Sequence, residues 1–149
     1  AKMVAEGGNA MAADVLLSVS LAEYDRNGDT MLVWSYPSID SDFDSHILKR
    51  AKLLMEQKQT RLVWTRVQNS WCYMLPVVVS TKDAAVRHLR AYTVCVQAKG
   101  FEPERFGGLA GALGAAYKAK GTPLALLQAW LSVFTTGRVE GFVDSGLEA

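Results

Sequence analysis

Apolar and polar residues alternate at the start of the chain, with Val15, Leu17, Val19 and Leu21 on one side and Leu16, Ser18, Ser20 and Ala22 on the other. That is the period of a strand. Asn27-Gly28 follows, and Met31-Leu-Val-Trp34 supplies a returning partner. Asn and Gly both tolerate the positive φ of a type I′ turn, so a tight hairpin is expected. Pro37 has no amide hydrogen to give a ladder, and pairing should stop there. The period then lengthens. Ile47, Leu48, Ala51, Leu54 and Met55 recur at helical spacing behind an Asp44-Ser45 N-cap. The acids of Ser38–Asp44 lie ahead of this helix, and Lys49, Arg50, Lys52 and Lys58 lie along it and at its end, the order a helix dipole favours.

Arg61–Val67 and Trp71–Val79 are rich in β-branched and aromatic residues, with Gln68-Asn-Ser70 between them as a turn, so a second hairpin is expected. Pro76 implies either a bulge or a position whose amide faces away from the ladder. Thr81–Arg87 is a polar connection with room for a helical turn. Leu89–Ala98 is a fifth strand, with Tyr92, Val94, Val96 and Ala98 on one face and Ala91, Thr93, Cys95 and Gln97 on the other. Pro103 suits a first helical turn, and Phe106, Leu109, Leu113 and Tyr117 form its apolar stripe up to the break at Gly121. Thr122-Pro123 opens a last helix, with Leu126, Leu127, Trp130, Leu131 and Phe134 facing inward and Gly137 ending it. The expected fold is α+β, a five-stranded, mainly antiparallel sheet flanked by about three helices. It occupies residues 13–137, with 1–12 set aside as a flexible arm or expression remnant and 138–149 as a loose tail.

Composition narrows the function classes. Sixteen basic and fifteen acidic residues among 149 leave a net charge of +1, with no block of like charge, which argues against a nucleic-acid partner. No apolar run reaches the roughly 18 residues needed to span a bilayer, and no signal sequence opens the chain. Cys72 and Cys95 lack metal or redox spacing and read as small buried hydrophobes of a reducing, cytoplasmic compartment.

Each candidate for chemistry meets a plainer alternative. Asp25-Arg-Asn-Gly-Asp29 has its glycine fourth where a calcium loop needs it sixth, and Tyr36 stands where the bidentate glutamate would be. Asp40, Asp42 and Asp44 likewise lack that pattern, having Ser45 and Ala51 at the corresponding places. Gly107, Gly108, Gly111 and Gly114 sit inside a helical stripe with no Gly-Lys-Ser/Thr after them, so they are expected to let a neighbouring element approach closely. His46 and His88 have no nucleophile or carboxylate paired to them by spacing, which leaves a small-molecule enzyme built on either as the weakest reading. Catalytic, cofactor and metal sites are not expected. The four tryptophans fall on strand and helix patterns and should be mostly core, an exposed one marking a partner surface.

From about Asp14 to Gly137 the chain resembles the N-terminal longin-type (upstream DENN) module of DENN-domain proteins, most closely the DENN domain-containing protein 10 group. Four strings carry the resemblance, in order and on the predicted elements: Val33-Trp-Ser-Tyr-Pro-Ser38, Trp71-Cys-Tyr73, Ala98-Lys-Gly-Phe-Glu-Pro-Glu104, and Gly121-Thr-Pro123 with Val133-Phe-Thr-Thr-Gly137. The glycine-dense helix and Ser35 depart from that family's pattern. The central and downstream DENN portions lie outside the match. The resemblance implies a longin-like (profilin-like) fold in membrane traffic. The implied partner is a Rab small GTPase, which such proteins bind and often drive to release GDP, contributing a surface and no reacting groups. It also implies, as alternatives, pairing with another longin module or with the downstream DENN portion, and recruitment to endosomal or vesicle membranes through partners. No Rab-contacting residue transfers by motif. The candidate partner-binding residues are Trp34, Tyr36 and Pro37 at the end of the second strand, with a core position as the alternative for Trp34 and Tyr36, and Lys49 and Lys52 on the first helix, facing an acidic partner or membrane surface or else simply solvated.

Overall fold

The computed structural model describes residues 16–37 and 41–136, with side chains up to Val133 in the last helix. The expected arm 1–12, Val15, residues 38–40, the side chain of Phe134, the stop at Gly137 and the tail 138–149 lie outside the described residues.

The strands are β1 (Leu16–Asp25), β2 (Thr30–Tyr36), β3 (Val63–Val67), β4 (Ser70–Val78) and β5 (Leu89–Ala98). The helices are α1 (Ser41–Glu56), α2 (Pro103–Lys120) and α3 (Pro123–Thr136), and a short 3-10 helix spans Ala84–Val86. The five strands form one antiparallel sheet in the order β2-β1-β5-β4-β3. Two hairpins are thus joined by β5, which is buried on both faces. The result is an α+β fold consistent with a longin-like domain.

Alternation along β5 sorts the core into two layers. Tyr92, Val94, Val96 and Ala98 meet Leu109, Leu113 and Tyr117 of α2 and Leu126, Trp130 and Val133 of α3. Cys95, with Cys72, Met74 and Ala22, meets Phe43, Ile47, Ala51 and Leu54 of α1 on the other side. Burial of apolar surface on both faces is the main stabilising contribution.

Several local expectations are corrected. Leu16 joins Val19 and Leu21 in the layer under α2 and α3, because the pairing of β1 with β5 slips between Leu16 and Ser18 and a bulge moves a residue to the other face. The first turn is not type I′. Gly28 alone has positive φ (94°), Gly28 N–H donates to the Asp25 carbonyl at 3.2 Å, and the Asp25 carboxylate accepts from the amides of Asn27 and Asp29 at 2.8 and 3.0 Å. That is the longer hairpin connection ending in a left-handed glycine, and it uses the calcium-like Asp25 as a turn clasp. α1 begins at Ser41, before the expected cap, so Asp42 and Asp44 occupy its first turn, Phe43 is buried, and Leu48 and Met55 are only half-buried. The last turn holds no basic residue, and Lys58 lies beyond the helix end. β3 begins at Val63 and β4 at Ser70, the two-residue turn Gln68-Asn69 carrying positive φ at Gln68. Leu131 is exposed, Leu127 is half-buried, and Ala125, Ala129 and Val133 take the inward positions of α3.

Pro76 causes no bulge. It sits opposite Thr93 in unbroken register, while β3 pairs with β4 only as far as Val63–Met74. Counting alternate residues from the Val67–Ser70 pair that closes the second hairpin, the nitrogen of residue 76 faces the side that β3 has vacated.

The glycines divide. Gly121 ends α2 in the left-handed region (φ 72°), its N–H donating to the Tyr117 carbonyl at 2.6 Å, and a Cβ there would overlap the carbonyl oxygen of Ala85. A Cβ at Gly107 would overlap the Leu62 side chain. Gly111 and Gly114 leave ordinary van der Waals room, the nearest atoms being 3.7 Å and 3.8 Å from a built Cβ, so close packing does not require glycine at either. Gly121→Ala is therefore expected to cost at least about 1–2 kcal/mol from the left-handed backbone alone, plus displacement of Ala85. Gly111→Ala should gain up to about 1 kcal/mol from helix propensity. Urea midpoints of the two variants moving in the same direction would contradict this division.

Candidate interaction surface

β2 and β3 are the two edges of the sheet, and aromatic side chains collect at both. On β2, Trp34 and Tyr36 are two residues apart and so share a face. Their rings are nearly parallel (10°) with centroids 6.4 Å apart. Trp34 is half-buried and packs on the layer under α2 and α3, whereas Tyr36 is 39% exposed and Pro37, joined to it by a cis peptide bond, is exposed. Lys49 and Lys52 are exposed on α1, which covers the opposite face. The structure thus brings Trp34, Tyr36 and Pro37 together and leaves Lys49 and Lys52 across the sheet from them.

The larger aromatic group is at the other edge. Trp64 is 44% exposed and Phe101 51% exposed, their rings meeting edge to face at 6.0 Å, and Phe101 lies 4.6 Å from the half-buried Trp71. The Arg66 guanidinium stands 5.7 Å over Trp71, the geometry of a cation–π contact. Of the four tryptophans only Trp130 is fully buried, so the expectation that most would be core is corrected. Trp64 is the tryptophan left exposed, and it is not among the residues expected at the surface. Arg66, two residues on and therefore on the same strand face, was the available sign that this face meets water.

Tyr73 holds Phe101 in place. Its hydroxyl donates to the Gly100 carbonyl at 2.7 Å and accepts from the Glu102 amide at 3.0 Å, clasping the loop between β5 and α2 from both sides of Phe101. Burial raises the Tyr73 phenol above its ordinary value, opposed in part by the Glu102 amide, so the hydroxyl remains a donor at neutral pH. Two strings far apart in sequence, Trp71-Cys-Tyr73 and Ala98–Glu104, therefore form one rigid corner.

Little else among the described residues is arranged for chemistry. His88 is exposed, His46 lies on α1 with Nε2 enclosed and unpartnered, and no three His, Cys, Asp or Glu residues gather as metal ligands. Cys72 and Cys95 are buried thiols beneath α1. No helix among the described residues is long and apolar enough to cross a membrane.

An α+β domain consistent with a longin-like fold, with aromatic clusters at both sheet edges, is the class of protein these features define. No family model matches the chain. Over 93% of its length it is 28% identical to DENN domain-containing protein 10 of Dictyostelium discoideum. Over 83% and 86% it is 29% and 27% identical to the proteins of that name from Danio rerio and Mus musculus. These homologues agree with the resemblance to DENN-domain proteins and point to a DENN-family module. The chain spans 43% of the Dictyostelium protein and 36% of each of the other two.

Proposed function

We propose that this chain is the longin-type (upstream DENN) module of a DENN-type regulator of Rab small GTPases in vesicle and endosome traffic. It binds the GTPase and supports guanine-nucleotide exchange as part of the longer protein, acting by surface contact and without a reacting group of its own. The observation that carries this reading is similarity to DENN domain-containing protein 10 over 93% of the chain. Exposed aromatic residues at the sheet edges support it, since rigid aromatics anchor protein interfaces. In this reading the module works in the cytoplasm and reaches endosomal or vesicle membranes through its partners.

Nucleotide release from a panel of GDP-loaded Rabs tests the proposal, run with this chain alone and with the longer protein. Release accelerated by the longer protein and not by this chain alone is the expected result. If neither accelerates release and neither retains a Rab, the alternative takes its place, a longin scaffold or dimerisation module without exchange activity.

A further inference from the structure

The two edges of the sheet are not equally protected. β2 pairs with β1 through a register shift at Leu21/Ala22, ends at Pro37, and lies under α1. Bulges, prolines and covering helices are the usual means by which an edge is kept from pairing with another chain. β3 has neither bulge nor proline, although one face of it, through Val63 and Val67, packs on the layer under α1. Its register with β4 runs without a shift from Val63 to Val67, it contains no proline or lysine, and it pairs with β4 alone. Val67 and Ser70 close a two-residue hairpin, so the alternate residues Trp64 and Arg66 turn their backbone N–H and C=O groups to the open side.

The same strand presents a specific chemistry. Next to those two outward backbone pairs stands the corner of Trp64, Phe101 and Trp71, with the loop fixed by Tyr73. From Gln57 to Lys82 the chain carries Lys58, Arg61, Arg66 and Lys82 and no aspartate or glutamate. Neither Arg61 nor Arg66 is paired with a carboxylate among the described residues, and Glu102 beside Phe101 is already engaged by Arg105 at 3.8 Å.

We infer that β3 is a strand-addition site for an extended, acidic segment of a partner protein. The segment lies along the outer edge of β3, exchanges backbone hydrogen bonds with Trp64 and Arg66, rests an apolar side chain against Trp64 and Phe101, and sets its carboxylates toward Arg61 and Arg66. A strand of five residues offers two outward pairs, so the segment that fits is about five residues long. Backbone bonds supply affinity in this mode, and side-chain contacts supply the preference for acids. The inference stands apart from the GTPase reading and does not depend on it.

A random-peptide display selection against the whole chain tests it, with Arg66→Glu and Trp64→Ala as counter-targets. Both side chains are exposed, and unchanged melting curves will confirm that the variants fold. Enriched peptides should be acidic with alternating apolar residues, and should bind each variant at least about tenfold more weakly. Methylating alternate amides of a selected peptide should abolish binding, which a purely side-chain contact would survive. No enrichment, enrichment without an acidic bias, or binding indifferent to amide methylation would overturn the inference. So would concentration-dependent dimerisation lost in Arg66→Glu, which would assign the edge to a second copy. Tighter binding of the selected peptides once residues 137–149 are deleted, reversed by adding that stretch as a free peptide, would overturn it in favour of the chain's own tail.

Discussion

Replacing Trp130 by alanine is expected to remove about 3–5 kcal/mol of stability, the range for truncating a buried tryptophan. The side chain is 1% exposed and stands with Leu126, Ala129 and Val133 in the layer shared by α3, α2 and the sheet. α3 follows α2 after only Gly121 and Thr122, so its docking rests on this one buried stripe. A domain of ordinary stability holds about 5–15 kcal/mol, so the loss is a large fraction of the whole. The melting temperature should fall by about 10–25 °C. Leu131→Ala on the same helix is the control, because Leu131 is 43% exposed and its truncation should cost about 1 kcal/mol or less. Equal urea midpoints for the two variants would show that α3 is not seated as described.

The second large effect is a loss of stability above pH 10. Tyr92 and Tyr117 are buried and their rings meet edge to face at 5.0 Å. Tyr92 donates to the Gly114 carbonyl at 2.8 Å, and Tyr117 donates to the Glu23 carboxylate. Burial raises both phenols above the ordinary value of 10.0, with the charge of Asp83 adding at Tyr92, and the hydrogen bond and charge of Glu23 adding at Tyr117. The unfolded chain therefore ionises these groups first. A raised folded-state pKa contributes stability that is fully present below the unfolded value of 10 and is lost as the pH rises beyond it. At pH 11 the loss is about 1.4 kcal/mol for each tyrosine, or about 3 kcal/mol for the pair. Cys95 acts in the same direction from its ordinary 9.0, held up by its hydrogen bond with Cys72 and by burial. Urea unfolding at pH 8 and pH 11 measures the slope, and Tyr92→Phe with Tyr117→Phe should flatten it. An unchanged slope in the double variant would mean the phenols titrate as freely folded as unfolded.

How far the fold was legible depended on how local its causes were. β5 and α2 have the bounds their patterns predict, because strict alternation and a proline-to-glycine frame leave few competing readings. The start of α1 was ambiguous because Ser38, Ser41, Asp42 and Asp44 can all cap a helix. The observed start puts two acids in the first turn, where the helix dipole favours them. The type of the first turn was misread because Asn27-Gly28 suits more than one hairpin connection, and Asp25's clasp of the Asn27 and Asp29 amides accompanies the longer one. Leu131 was misplaced because a helix rich in Leu and Ala has apolar residues at every angle, and only the neighbour it meets decides which are inside.

The candidate surface divides along the same line. Residue type and order alone determined the five strands, the three helices, the two buried layers along β5 and the resemblance to DENN-domain proteins, since each rests on short-range periodicity or on strings read in sequence. Strand order was settled only in three dimensions. It made β3 an edge, brought Phe101 against Trp64 and Trp71 across thirty or more residues, and set Lys49 and Lys52 across the sheet from Trp34 and Tyr36. Which aromatics are covered and which are left to meet a partner is a property of packing between distant segments, and no local pattern of hydrophobic and polar residues encodes it.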